Sequence, residues 1–233
     1  MTTKKTESPE AQNVSGDSAT SKPPRRASRP RSAKTTRENI LRAAKKIFSK
    51  DGYDGARVDK ISKAAKSYDS LIYYYFGSKE KLFVEVLEAA YKDMFDAEQS
   101  LDLDMDDPVG SLRKLVEFPL RYYIQHPEII VLLGTENLHK GKHISKSPTA
   151  DTYASPTIGI LERVLQRGME MGVFRADADA QKVYIAMTAM GYFYVSNRYT
   201  FSTFLSTDLM QPEKIEEWAR YISDLLVESV LKQ

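Results

Sequence analysis

The sequence predicts an all-α protein in which a short three-helix unit precedes a longer helical one. Three observations lead there. From Thr35 onward apolar residues recur at spacings of three and four, which places them along one face of a helix. No stretch shows the period-two alternation expected of a strand series. Proline, glycine and asparagine fall between the periodic runs and cut them into ordinary helix lengths.

Residues 1–34 stand outside this pattern. They are rich in Ser, Thr, Pro, Lys and Arg, and Val14 is their sole branched aliphatic residue, so they offer no core and are expected to form a disordered basic tail. Lys22, Arg25, Arg26, Arg29, Arg31 and Lys34 have no acidic neighbour in that span, which suits either phosphate contact or a solvated tail without a specific partner.

The first helix places Ile40, Leu41, Ala44, Ile47 and Phe48 in one stripe opposite Arg37, Lys45 and Lys46. Thr35 or Thr36 is its expected N-cap and Gly52 its expected stop. Val58, Ile61, Ala64 and Ala65 mark a second helix with room for about two turns. A third runs from about Asp69 to Phe76, with Ile72, Tyr75 and Phe76 on one face and Asp69, Ser70, Tyr73 and Tyr74 largely on the other. Gly77 should end it, and Ser78 should cap a long amphipathic helix through Leu82, Phe83, Val86, Leu87, Ala90, Tyr91, Met94 and Phe95. The acidic "LDLDMDDP" reads as a loop, after which helices are expected over 108–126, 128–139, 156–171, 178–204 and 212–231. Pro119 should kink or divide the first of these. The chain is thus divided into a tail (1–34), a three-helix unit (35–80) and a larger helical unit (81–233).

Composition removes several function classes. The absence of cysteine rules out disulfides, thiolate metal sites and a cysteine nucleophile, and fits a reducing, cytoplasmic setting. The longest uncharged run in the apolar C-terminal half, Val183 to Asn197, is 15 residues, too short to span a bilayer, and the N-terminus lacks an export signal. No phosphate-cradling glycine loop or Gly-x-Ser-x-Gly elbow occurs. His139 and His143 share helix-compatible spacing, but Gly141 lies between them and no glutamate does, so neither an enzyme nor a metal site is expected, and no cofactor. Charge is split along the chain: residues 1–35 carry a net +5, residues 36–80 a net +4 and residues 81–233 a net −7. A basic N-terminal third joined to an acidic remainder fits a polyanion-binding part coupled to a part with another task.

A second and third helix joined by a turn of three or four residues have the geometry of a helix-turn-helix, whose second element lies in the DNA major groove. That gives the run Tyr73-Tyr74-Tyr75 a reason. Outward phenols can donate to phosphates or base edges while Lys79 adds charge at the next helix start; Tyr75 and Phe76 would anchor the helix instead. The alternative is that all three rings only pack.

The stretch "RENILRAAKKIFSKDGYDGARVDKISKAAKSYDSLIYYYFGSKEKLF" resembles the N-terminal DNA-binding domain of the TetR family of transcriptional regulators. The resemblance rests on Ile-Leu-x-Ala-Ala-x-x-x-Phe, Gly-Tyr, Val-x-x-Ile-x-x-x-Ala and Ile-Tyr-Tyr-Tyr-Phe-x-Ser-Lys-Glu-x-Leu. It implies a cytoplasmic homodimeric regulator that binds double-stranded operator DNA, commonly a repressor of neighbouring catabolic or efflux genes. It also implies that base reading falls on Asp69, Ser70 and Tyr73, that Tyr74, Lys79 and the helix start near Thr36 meet phosphates, and that the turn residues Ser67 and Tyr68 complete the interface. Where the family usually has Gly-Val-Ser in the turn, this chain has Lys66, Ser67 and Tyr68, and Ala56 replaces a common threonine. Without the glycine, either the turn has no positive φ there or it bears a cost of about 1 kcal/mol. Ser67 or Asp69 then becomes the candidate cap of the recognition helix.

The rest of the chain resembles that family's helical ligand-binding and dimerisation domain in length and helicity. "KVYIAMTAMGYFYVSNRYTFSTF" is apolar nearly all round, and Ile215, Trp218, Ala219, Ile222, Leu225, Leu226 and Val230 line one side of the last helix. By the resemblance, the last two long helices pair with those of a second subunit. Polar groups among aromatics mark a candidate effector site: Arg121, Tyr122, Tyr123 and His126 in one stretch, and Tyr192, Tyr194, Asn197, Arg198 and Tyr199 in another. They point to a small aromatic or heteroaromatic effector, anionic if Arg121 or Arg198 pairs with it; the same residues would serve as well as core and interface groups. A ligand-independent architectural DNA-binding protein is the competing reading.

Overall fold

The computed structural model describes residues 33–149, 152 and 155–232, so residues 1–32 of the predicted tail lie outside the described residues, while its last two, Ala33 and Lys34, are already helical and open the first helix. Ten α-helices occupy them: α1 (Ala33–Gly55), α2 (Val58–Ala64), α3 (Asp69–Phe76), α4 (Lys79–Gln99), α5 (Pro108–Gln125), α6 (Pro127–Leu138), α7 (Ser155–Glu170), α8 (Ala180–Ser196), α9 (Arg198–Phe204) and α10 (Pro212–Val230). No strand occurs among them beyond one isolated bridge between Phe174 and Leu231.

The apolar stripes bury as two clusters. Ile40, Ala44 and Phe48 of α1 meet Ile61 of α2, Ile72 and Phe76 of α3, and Leu82, Phe83, Val86 and Leu87 of α4, with Leu132 of α6 added from the C-terminal side. The larger cluster joins α5, α7, α8 and α10 through Leu112, Leu115, Val116, Leu161, Val164, Val183, Met187, Ala219 and Ile222.

Most boundaries fall where local chemistry puts them. Gly52 adopts φ 67 and interrupts α1 at the expected stop. Gly77, at φ 78, ends α3, and Ser78 Oγ accepts from Lys81 N at 3.1 Å to cap α4.

Three expectations need correction. The first helix begins at Ala33, so Thr35 and Thr36 lie in its first turn and are not its N-cap. Pro119 does not divide α5, which runs unbroken from Pro108 to Gln125. There α8 crosses on a bare glycine: a Cβ on Gly191 would stand 2.9 Å from Leu120 N, so the proline segment is clamped against α8 backbone. The predicted 178–204 helix is two helices, broken at Asn197, whose Nδ2 donates to Phe193 O at 3.1 Å and satisfies an end carbonyl of α8.

Between the two clusters, Glu136 of α6 holds a returning turn. Its Oε1 accepts from the backbone N–H groups of His143 (2.8 Å) and Ile144 (2.9 Å), and its Oε2 lies 2.7 Å from His143 Nδ1. His143 is fully buried, its ring 4.4 Å from Tyr53 and 5.1 Å from Phe83. The two histidines of "HKGKH" are thus packing groups, His139 lying 3.2 Å from Asp54.

Candidate nucleic-acid interface and effector cavity

The C-terminal end of α2 is closed by two backbone bonds. Ser67 N donates to Ser62 O at 2.9 Å and Lys66 N to Lys63 O at 3.1 Å, the paired bonds of a Schellman ending. Such an ending requires a left-handed residue, and Lys66 takes that place at φ 52. Of the two sequence alternatives, the turn therefore has positive φ without glycine.

Neither Ser67 nor Asp69 caps α3. Tyr68 occupies the N-cap position with no side-chain bond to the helix. Asp69 Oδ1 instead accepts from the Ser62 hydroxyl, which ties the start of α3 back to α2. One carboxylate oxygen expected to read a base is thereby engaged within the protein.

Burial of Ile72 and Phe76 fixes which face of α3 looks outward. Ser70 is exposed, Tyr73 and Tyr74 are 52% and 78% exposed, and Tyr68 at the helix start is 77% exposed. Tyr74 packs edge-on against Tyr75 at 5.0 Å, which orients the outer ring. Arg37 backs the helix from behind, its guanidinium 4.8 Å above the Phe76 ring and paired with Glu85. Lys79, at the first turn of α4, lies with Nζ 4.6 Å above the Tyr53 ring. Partial burial pushes its pKa down, against the pull of Asp54. Thr36 is half-buried in the first turn of α1. The arrangement presents phenols, a hydroxyl and partly exposed cations on one short helix and its flanks, a set able to meet phosphates and base edges.

The expected effector residues do not converge on one site. Arg121 bridges α5 to α10, bonding Glu216 Oε1 at 2.6 Å and Glu117 Oε2 at 2.7 Å, and these bonds raise its pKa further. Tyr122 lies 4.3 Å ring to ring from His126, and burial pushes its phenol up to about 12. With Arg121 they edge a shallow hollow of about 310 Å³. Asn197 is engaged at the break between α8 and α9, and Arg198 donates to Val195 O at 2.6 Å and to the Tyr199 hydroxyl at 2.9 Å.

Of the expected residues, Tyr123 and Tyr192 line a cavity of about 380 Å³ between α4, α5, α6, α7 and α8. Tyr91, Phe95 and Glu98 enter it from α4, Tyr123 from α5, and Tyr184 and Thr188 from α8. Burial raises the Tyr91 phenol to about 12 and raises that of Tyr123 further still. Glu98 is buried and accepts from the Thr157 hydroxyl, with desolvation lifting its pKa more than that bond lowers it. Sequence signals for this site exist: Tyr184, Thr188 and Tyr192 recur every four residues, and Glu98 continues the apolar phase of Ala90 and Met94.

Residues 40–86 match the family model for bacterial regulatory proteins of the tetR family, and residues 108–226 match the tetracyclin repressor-like C-terminal domain. The chain is 46% identical over 197 residues to the transcriptional repressor NicS of Pseudomonas putida, covering 84% of this chain and 93% of that protein. It is 37% identical over 111 residues to the repressor SCO4008 of Streptomyces coelicolor, covering 48% and 54% of the two chains. Among solved structures, the regulator SCO4942 of Streptomyces coelicolor superposes with a TM-score of 0.62 at 20% identity, covering 84% of this chain and 98% of that one. A regulator from Saccharomonospora viridis, solved in complex with choline, gives 0.63 at 18% identity over 86% and 100%.

Proposed function

The chain belongs to the TetR family of DNA-binding transcriptional regulators, and from that premise we propose that it is a repressor released from its operator by a small molecule bound in the tyrosine-lined cavity. One observation carries the reading. Helix α4 is shared: Leu82, Phe83 and Val86 belong to the core under α3, whereas Tyr91, Phe95 and Glu98 line the cavity. A ligand that reorients the far end of α4 therefore bears on the helix that reads DNA. Release by two orders of magnitude needs about 2.7 kcal/mol of coupling, inside the usual range.

A homodimer follows from the DNA geometry, because two recognition helices must enter major grooves about 34–36 Å apart. Exposed apolar side chains on α8 (Ile185, Phe193) and α10 (Tyr221, Leu225) are candidates for the subunit contact. The genes controlled would be catabolic or efflux genes nearby. The ring-lined walls support an aromatic or heteroaromatic effector. An anionic one has less support, since Arg121 and Arg198 are engaged elsewhere and no Lys, Arg or His lines the cavity among the described residues.

The test is operator release followed by fluorescence anisotropy against a library of small aromatic compounds. Thr188→Phe, which fills the cavity, should bind operator as the parent does and lose at least tenfold in sensitivity to any active compound. Undiminished release in that variant would place the effector elsewhere.

A further inference from the structure

We infer that the cavity selects an organic cation, an ammonium or protonated ring nitrogen on a compact aromatic body, with Glu98 as counter-charge and the tyrosine rings as its cage. This rests on the reading of the cavity as the effector site.

The two buried glutamates of the structure are treated differently. Glu136, 3% exposed, is met by two backbone N–H groups and His143, so its charge is accounted for inside the fold. Glu98, equally buried, accepts from the hydroxyl of Thr157. The groups that face the cavity with it are Tyr123 from α5, Asn137 from α6, Thr157 from α7, and Tyr184 and Tyr192 from α8, with Tyr91 on its own helix. None is cationic. A buried carboxylate with no cationic group beside it among the described residues is unfavourable, and desolvation accordingly raises the pKa of Glu98.

The ligand classes then separate. An anion would enter beside a carboxyl group with no cation to offset it. A neutral aromatic would use the rings and gain nothing from the Glu98 charge. A cation would gain twice, from a carboxylate that becomes paired as it ionises and from ring faces that attract positive charge. At a pH where Glu98 carries its proton, the cation displaces that proton to solvent. Binding therefore tightens as pH rises toward the raised pKa of Glu98 and levels off above it.

The experiment is calorimetric titration of the full chain with three probes of similar size: benzyltrimethylammonium, benzyl alcohol and benzoate. The cation should bind tightest, with proton release visible as a heat that changes between buffers of different ionisation enthalpy. Glu98→Gln, nearly isosteric, should weaken the cation at least tenfold, abolish its pH dependence and leave benzyl alcohol within about threefold. Thr157→Val leaves the carboxyl in place and should keep the preference for the cation. Benzoate binding more tightly than the cation, or a cation affinity insensitive to both pH and Glu98→Gln, would overturn the charge assignment. If such binding is still blocked by Thr188→Phe, the cavity survives as the effector site. Failure of all three probes to bind would overturn both.

Discussion

Lys66 holds a backbone conformation that its own side chain opposes, and replacing it with glycine should stabilise the protein. At φ 52 it occupies the left-handed position of the Schellman ending of α2. A residue with a Cβ loses about 1–2 kcal/mol there relative to its right-handed alternative. Glycine removes that penalty but enlarges the unfolded ensemble, which returns about 0.4–1 kcal/mol. The balance for Lys66→Gly is a gain of about 0.5–1 kcal/mol. The two closing bonds, from Ser67 N and Lys66 N, are backbone bonds and survive the change. Urea denaturation at fixed protein concentration should show a higher midpoint and an unchanged slope; with a slope of about 2–3 kcal/mol per molar, the midpoint rises by roughly 0.3 M. Lys66→Ala is the control, since alanine keeps the Cβ and should gain little. An equal gain in both variants, or a loss in the glycine variant, would refute the strain account.

Tyr74→Phe and Lys79→Ala should each weaken operator and scrambled DNA by similar factors, as loss of phosphate contact does, and Lys79→Ala should reduce the salt slope by about one; unchanged affinity in both would remove them from the interface. Changing Ser70 should instead alter the preferred half-site, measured by competition between operator variants. Gly191→Ala puts a methyl group 2.9 Å from the Leu120 backbone nitrogen and should lower stability by about 1–3 kcal/mol in thermal unfolding. Arg121→Ala breaks a surface tie between α5 and α10, so it should leave melting nearly unchanged and release by any active compound intact; loss of release alone would bring Arg121 back into the effector response.

How much was legible in the sequence depended on whether the cause was local. The ends of α1 and α3 and the start of α4 were legible because Gly52, Gly77 and Ser78 act through their own backbone or a bond three residues away. The break at Asn197 was hidden because the apolar phase runs on through it, and only the amide bond back to Phe193 reveals an end. Proline chemistry points to a kink or a division at Pro119, and that the helix is not divided is hidden from local sequence because its partner in the crossing, Gly191, lies 72 residues on. The outward face of α3 was legible from period alone, since Ile72 and Phe76 are four apart. The cavity was legible only in pieces. Aromatic richness drew attention to Arg121, Asn197 and Arg198, whereas five separate helices had to assemble before Glu98 and Tyr184 could face one another.

That assembly also gives the proposed effector cavity a physical connection to the surface helix α3. α4 spans 21 residues, about 30 Å at 1.5 Å per residue, from Lys79 above Tyr53 to Glu98 beside Thr157. α6 makes a second connection: Leu133 and Asn137 line the cavity, Leu132 is buried with the α1–α4 core, and Glu136 holds His143 against Tyr53 and Phe83. Tyr53 therefore receives both routes, through Lys79 from α4 and through His143 from α6. A ligand that bound with no preference between two settings of these helices would shift nothing, however tightly it bound. The preference can arise only where contacts change, and in the proposed site the side chains that line the cavity and also lie on helices packed into the α1–α4 core are those of α4 and α6. Effector specificity and the strength of DNA release are on this account set by the same few residues, so substitutions on the cavity face of α4 should alter both together, whereas those on α8 should alter affinity for the ligand with less effect on the maximal release.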